Sequence, residues 1–340
     1  MSESPVLKVT DLVVHFETRR GFRQRTTVRA VDSVSFDISQ GEILALVGES
    51  GCGKSTIAMS VMRLLEPTSG RIMVEGQDLA ALRGRELRRA RQRIQMIFQD
   101  PFGSLDGRQT VYESVAEPLV VHRLGREEGE RRRRVLAALD LAHLRPPERL
   151  AANYPHELSG GQRQRVAIAS AMVLEPALVI ADEPVSMLDV SARAGILRLM
   201  MDLRDRTGVS YLFITHELAV AWMVADRLAV LYLGRVVEIG TSPEVVANPA
   251  HPYTRALLEV TGGDDELGEG AVLAGETPSA SRVPEGCRFH PRCPLYAERG
   301  QPEVCRTQDP VLCGVGQAAQ AEREHLVACH FPNTDDRGAP

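Results

Sequence analysis

Eight consecutive residues, Gly48-Glu49-Ser50-Gly51-Cys52-Gly53-Lys54-Ser55, follow the pattern G-x-x-x-x-G-K-[ST]. Glycines at these positions let successive backbone N–H groups turn inward around phosphate oxygens, and a helix starting behind them adds its positive end. Lys54 is placed to reach the β- and γ-phosphates of a nucleotide, Ser55 to offer its hydroxyl to Mg²⁺, and Thr56 to touch phosphate as well. Cys52 stands at a variable position of the loop, where a small side chain is tolerated; a reactive thiol is the alternative. Farther on, Leu178-Val179-Ile180-Ala181-Asp182-Glu183 sets two carboxylates at the end of an apolar run, an unfavourable place for charge without a cation. Asp182 fits the Mg²⁺-holding carboxylate of a phosphate-loop enzyme, and Glu183 a base that orients and deprotonates the attacking water. Taken alone, the two could equally face solvent. In Leu158-Ser159-Gly160-Gly161-Gln162, Ser159 is a good helix cap and the glycines leave backbone N–H groups open to an anion. A cap with no ligand is the competing reading.

These groups need a rigid frame. Residues 43–47, 94–98, 178–181 and 211–215 are nearly continuous apolar runs, as buried parallel strands are, and they alternate with helical stretches. An α/β sheet with helices on its faces is expected. Residues 131–142, 163–174, 191–207 and 253–260 read as helices, with Asp202 and Arg206 as a supporting i, i+4 pair. Five arginines in 19–29 and six in 83–93 read as solvated faces. The order places the phosphate loop between a strand and a helix, as its chemistry requires.

At 340 residues the chain suits one large domain with an appendage. A net charge of −5 and 4% aromatic residues argue against a nucleic-acid surface, so no nucleic-acid partner is expected. No apolar run approaches the roughly 18 residues of a membrane helix, and residues 1–10 lack a signal-peptide core. A soluble chain in a reducing compartment is expected, and five of the six cysteines follow Gly286. Clustered cysteines there point to metal chemistry before disulfides. Residues 1–260 are expected to form one domain, 261–277 a Gly-rich acidic linker, and 278–340 a small Cys- and Pro-rich module.

The order of the phosphate loop, Gln99, residues 158–162, Asp182-Glu183, residues 186–189 and His216 resembles the ATPase cassette of ABC proteins over roughly residues 6–260. The implied fold is an ABC-type P-loop NTPase cassette, α/β in class, with a helical signature subdomain. The resemblance implies a head-to-tail dimer with two ATP molecules in its interface. Ser159 and Gly161, flanked by Gly160 and Gln162, would contact the γ-phosphate held by the partner's loop, that is by Gly48, Ser50, Gly51, Cys52, Gly53, Lys54, Ser55 and Thr56 of that copy. It also implies that Gln99 touches Mg²⁺ and water, with Ser55 and Asp182 as the other Mg²⁺ residues. His216 would hold the transition state, Phe16 stack on adenine, and Asp189 lie in the loop that connects the two sites. Glu183, His216 and Lys54 would carry the catalysis.

Residues 100–105, 154–158 (Tyr154-Pro155-His156-Glu157-Leu158), His251-Pro252-Tyr253-Thr254 and 286–293 (Gly286-Cys287-Arg288-Phe289-His290-Pro291-Arg292-Cys293) narrow the match. They resemble the ATPases of dipeptide and oligopeptide importers, a branch shared by nickel and some sugar importers. This implies a second ATPase subunit, by family precedent a related chain, two transmembrane permease subunits and an extracytoplasmic substrate-binding protein. A peripheral place on the cytoplasmic face of the membrane follows. In this family the tail can hold a [4Fe–4S] cluster; Cys287, Cys293, Cys305 and Cys329 fit, with Cys313 as an alternative ligand. Zinc and unliganded thiols remain competing readings, as does a regulatory or docking role for the tail. A soluble ABC ATPase acting on DNA or ribosomes is the competing function.

Overall fold

The computed structural model describes residues 4–20, 24–100, 103, 105–261, 278–315 and 325–332. Its contacts divide the chain into two compact units, one made of residues 1–8, 37–42 and 73–214, the other of residues 9–36, 43–72 and 215–340. Most of the expected linker, residues 262–277, and Pro101, Phe102 and Ser104 of the 100–105 motif lie outside the described residues, as do residues 21–23 of the 19–29 arginine run.

In the first unit, strands Ile94–Ile97, Leu178–Asp182 and Ser210–Thr215 run parallel, with Ile97 opposite Ala181 and Asp182 opposite Ile214. Leu178–Asp182 and Ser210–Thr215 are buried at every position, which is why they read as unbroken apolar runs rather than alternating ones. The helices Val111–Val121, Glu128–Leu141, Pro147–Ala151 and Gly160–Met172 pack on one another as a helical subdomain. Two of them begin at reciprocal capping boxes, Thr110 with Glu113 and Ser159 with Gln162. Helix Val190–Thr207 starts at Asp189 and stops at Gly208, whose φ of 70° ends the right-handed turn. The Asp202–Arg206 pair is present at 3.1 Å. The arginine run at 83–93 includes helix Gly84–Ala90, which buries no residue, while Arg93 beyond it grips Glu75 with two bonds of 2.9 Å.

In the second unit, strand Ile43–Val47 pairs in parallel with Arg227–Tyr232, which pairs antiparallel with Arg235–Thr241. The tail then adds two short strands, Leu326–Val327 and Cys313–Gly314, to the edge of Arg235–Thr241. A further layer sets strands Gln24–Ile38, Leu7–Arg20 and Ser69–Val74 side by side. Otherwise the described residues of the tail hold only brief helical turns such as Pro294–Glu298 and Glu303–Thr307. No helix among the described residues is long and apolar enough to cross a membrane.

One buried carboxylate fastens the tail strands to this unit. Glu238 is fully buried and accepts from the amides of Ala250 (2.7 Å) and His251 (2.9 Å) and is bonded to His325 Nε2 (2.6 Å). A buried acceptor shared by three donors leaves all of them unsatisfied when removed. Glu238→Ala is therefore expected to lower stability by about 3 kcal/mol, read from urea denaturation; a midpoint equal to wild type would show that water replaces the carboxylate without cost.

Candidate functional site

The buried strand Ile43–Val47 delivers the chain into residues 48–53, and helix Lys54–Val61 leaves from them. Two glycines are required by the space available. A Cβ on Gly48 would lie 2.2 Å from the Leu231 carbonyl oxygen, and one on Gly53 2.3 Å from that of Ala30, with Gly53 also at φ 112°. Gly53 caps the helix without a side-chain hydrogen bond, and no acidic residue occupies the first turn. This helix start is therefore left to an anion. Lys54 is buried and folds back over the loop, its ammonium donating to the carbonyls of Gly48 (2.6 Å) and Glu49 (3.1 Å). Cys52 is buried beside it, 3.8 Å from Lys54 Nζ, and burial pushes its thiol pKa up despite that ammonium. A thiol held protonated in this way fills space and is not a reactive group.

Glu49 is held at both ends. Its amide donates to the Tyr253 hydroxyl (2.9 Å), and its carboxylate takes two bonds from Arg292, at 2.8 and 3.0 Å. The histidine of the 251–254 motif prepares the first contact: burial lowers the His251 pKa to about 4, and its neutral Nδ1 accepts from the Tyr253 amide at 3.0 Å. In the sequence, Tyr253 and Arg292 stand out only as parts of the motifs that carry the resemblance. The signal that could have found them is Glu49 itself, since a carboxylate inside an anion-binding loop demands a cation close by. Phe16, on strand Leu7–Arg20, and His216, just past Ser210–Thr215, are both partly exposed. His216 Nε2 stands 4.0 Å from Glu217, and both residues fall in the same unit as the phosphate loop.

The other predicted residues gather in the first unit. Asp182 is buried at the end of its strand, and Glu183 follows it at φ 47°, a left-handed conformation that costs a non-glycine residue about 1–3 kcal/mol. Its amide is held by the Ile214 carbonyl (2.9 Å), and its own carbonyl accepts from the Ser186 hydroxyl (3.1 Å). The Gln99 side-chain amide donates to Glu183 Oε2 at 2.9 Å. That bond fixes the direction of the carboxylate, as a group that is to take a proton from water requires. Ser159 caps helix Gly160–Met172 by accepting from the Gln162 amide (3.3 Å), while Gln162 Oε1 accepts from the Ser159 amide (2.9 Å). The serine uses its oxygen as acceptor, so its O–H can still be donated. Gly160 and Gly161 lie against Leu188 and Ala192, 3.5 and 3.4 Å from where a Cβ would stand. Asp189 takes bonds from Ser191 (2.6 Å) and Ala192 (2.9 Å), which hold its carboxyl below the usual range. Met187 and Val190 beside it are exposed.

In the tail, Cys287, Cys293, Cys305 and Cys329 line one enclosed, largely apolar cavity together with Phe289 and Tyr296. All the cysteines are unpaired by disulfides. Burial, with the neighbouring thiols adding to it, pushes Cys287 up to about 12 and Cys329 up to about 11, and burial also raises Cys293 and Cys305. Cys313 is absent from the cavity lining and is exposed on strand Cys313–Gly314. Among the described residues, no three His, Cys, Asp or Glu side chains converge closely enough to hold a single metal ion.

Known proteins resemble this chain along most of its length. Residues 31–186 match the ABC transporter family, and residues 237–299 match the C-terminal region of oligopeptide/dipeptide transporters. A peptide import ATP-binding protein of Brucella ovis is 46% identical over 331 residues, covering 97% of this chain and 98% of the relative. Oligopeptide transport ATP-binding protein AppF of Bacillus subtilis is 43% identical over 339 residues, again 97% and 98% of the two chains. Among solved structures, the dimeric post-hydrolysis state of the ATP-binding cassette MJ0796, bound to ADP and Pi, superposes with a TM-score of 0.61 at 31% identity, covering 69% of this chain and 98% of that one.

The thiol environments order the cysteines by reactivity. Alkylation of metal-free protein near pH 8, followed by mass spectrometry, is expected to modify Cys313 first and Cys287 and Cys329 at least about tenfold more slowly, because little thiolate forms below pKa values of about 12 and 11. Equal rates at all three would contradict the buried cavity.

Proposed function

Because the chain belongs to the ABC transporter family, in its branch of peptide-import ATPase subunits, we propose that it hydrolyses ATP with the residues named above to drive uptake of di- or oligopeptides. The observation that carries this is the helix start at Lys54: no side chain caps it, and a buried ammonium folds over the loop that leads into it. By family precedent residues 48–56 would bind the phosphates, Ser55, Asp182 and Gln99 would hold Mg²⁺, and Phe16 would stack on adenine. Bound Mg²⁺ supplies charge neutralisation of the phosphates; the chain's own residues do the rest. Glu183, oriented by Gln99, accepts the proton of the attacking water. Lys54 and His216 meet the charge that develops on the γ-phosphoryl oxygens, so catalysis is positioning and electrostatic stabilisation.

Residues 159–162 serve the nucleotide on a second ATPase subunit in a head-to-tail dimer, a related chain by family precedent. The exposed Met187 and Val190 beside Asp189 suit such an interface. ATP binding closes the pair and hydrolysis reopens it, moving two transmembrane permease subunits that dock near Gln99 and helix Val111–Val121, where Phe98, Val120 and Val121 are exposed. The subunit works from the cytoplasmic face of the membrane, with an extracytoplasmic binding protein delivering the peptide. Residues 1–260 form the cassette and 278–340 the tail module, joined through 261–277.

The four cavity cysteines suit a [4Fe–4S] cluster. Buried thiols without a metal are held protonated, and a cluster would stabilise their thiolates and replace the core that the tail lacks. Zinc held tetrahedrally by the same four thiolates is the competing occupant. Cys313 has no part in either.

Two measurements test this reading. Glu183→Gln is expected to keep ATP binding and lower turnover by at least about a hundredfold; turnover at the wild-type rate would remove Glu183 from the mechanism. Anaerobically purified protein is expected to contain about four iron and four sulfide per chain, with a broad absorption near 400 nm that bleaches on reduction. Zinc, or no metal at all, would reduce the tail to a structural or docking module.

A further inference from the structure

The segment that carries two of the cavity thiols also holds the nucleotide loop, through Arg292 directly and through Arg288 by way of Leu233 and its neighbour. In Cys287-Arg288-Phe289-His290-Pro291-Arg292-Cys293, the outer residues face the cavity while Arg292 makes its paired bonds to Glu49. Arg288 donates to the Leu233 carbonyl and to the Asp32 carboxylate. The next residue, Gly234, donates its amide to the Cys52 carbonyl inside the loop at 2.8 Å and accepts from the Asp32 amide at 2.9 Å. Phe289, almost fully buried, packs between them on Tyr232 and Tyr253, with ring centroids 5.2 and 5.4 Å away. Tyr253 is the residue whose hydroxyl holds the Glu49 amide.

We propose that the cysteine module is a strap on the phosphate loop, with Arg292 and Glu49 as positioning residues that couple nucleotide binding to the folded state of the four thiols. The physical reason is charge. A carboxylate in a loop that must accept a polyanion repels its ligand unless a cation neutralises it and turns it aside. Arg292 does both through a bidentate pair, and the geometry of that pair depends on where Cys293, its neighbour, is held. Coupling of this kind is reciprocal: if an ordered module favours nucleotide binding, bound nucleotide must by the same factor favour the ordered module.

The proposal rests on the ATP-binding reading of residues 48–56, and its test separates the two. Binding of the fluorescent nucleotide MANT-ADP with Mg²⁺ is titrated for the full chain and for Arg292→Gln, Arg292→Lys, Glu49→Gln and the exchange Glu49→Arg with Arg292→Glu. Arg292→Gln is expected to weaken binding about fivefold or more, Arg292→Lys and the exchange to recover part of it, and Glu49→Gln to bind at least as well as wild type, since the repulsive charge is gone. Alkylation rates at Cys287, Cys293, Cys305 and Cys329, resolved by mass spectrometry, are expected to fall when ADP binds wild type and to stay unchanged by ADP in Arg292→Gln. The wild-type labelling is decisive by itself, whatever the folding of the variants. Nucleotide that leaves the four rates unaltered, or an Arg292→Gln variant that binds as wild type does, overturns the strap. A wild-type chain that binds no MANT-ADP overturns the ATP-binding reading instead.

Discussion

A backbone that is to hold a triphosphate must keep its amides turned inward, and the surroundings of residues 48–56 answer to that demand. The carbonyls of Leu231 and Ala30 press so close that only glycine fits at Gly48 and Gly53. Lys54 lies buried across its own loop, already desolvated where a phosphate would replace the two carbonyls it now contacts. Glu49, the one acidic side chain in the loop, is fixed by Tyr253 at its amide and by Arg292 at its carboxylate. Helix Pro252–Thr261, the tail and the turn at Leu233 and Gly234 thus all serve to hold a short stretch of main chain in one shape. Preorganisation of this kind is where binding free energy is gained, because the loop has little left to order when its ligand arrives.

Much of this was legible in the sequence because it is local. Continuous burial made the strands at 43–47, 178–182 and 210–215 readable as apolar runs, and Ser159 announced its helix by residue type and by Gln162 three positions on. The carboxylates Asp182 and Glu183 stood out because an apolar strand rarely ends in two charges. The partners of Glu49 stayed hidden for the opposite reason: they lie 204 and 243 residues away, and no periodicity connects them. The cysteines fall between. Their number and crowding pointed to a shared site, but spacing alone left Cys313 in contention, and only the path of the tail along strand Arg235–Thr241 turns it to solvent. The left-handed backbone at Glu183 had no sequence signal, since nothing in a glutamate foretells a positive φ.

The spacing of Gly160 and Gly161 from Leu188 and Ala192 has a mechanical meaning. With no side chain on either glycine, room for a methyl group lies between the turn that starts helix Gly160–Met172 and the Leu188 and Ala192 side chains where helix Val190–Thr207 starts. The two helix starts face each other across the space of a pair of missing methyl groups, which leaves the joint a little play. A single alanine at either glycine would meet its neighbour at ordinary van der Waals distance and take up that play, tying movement at Ser159 more closely to Asp189.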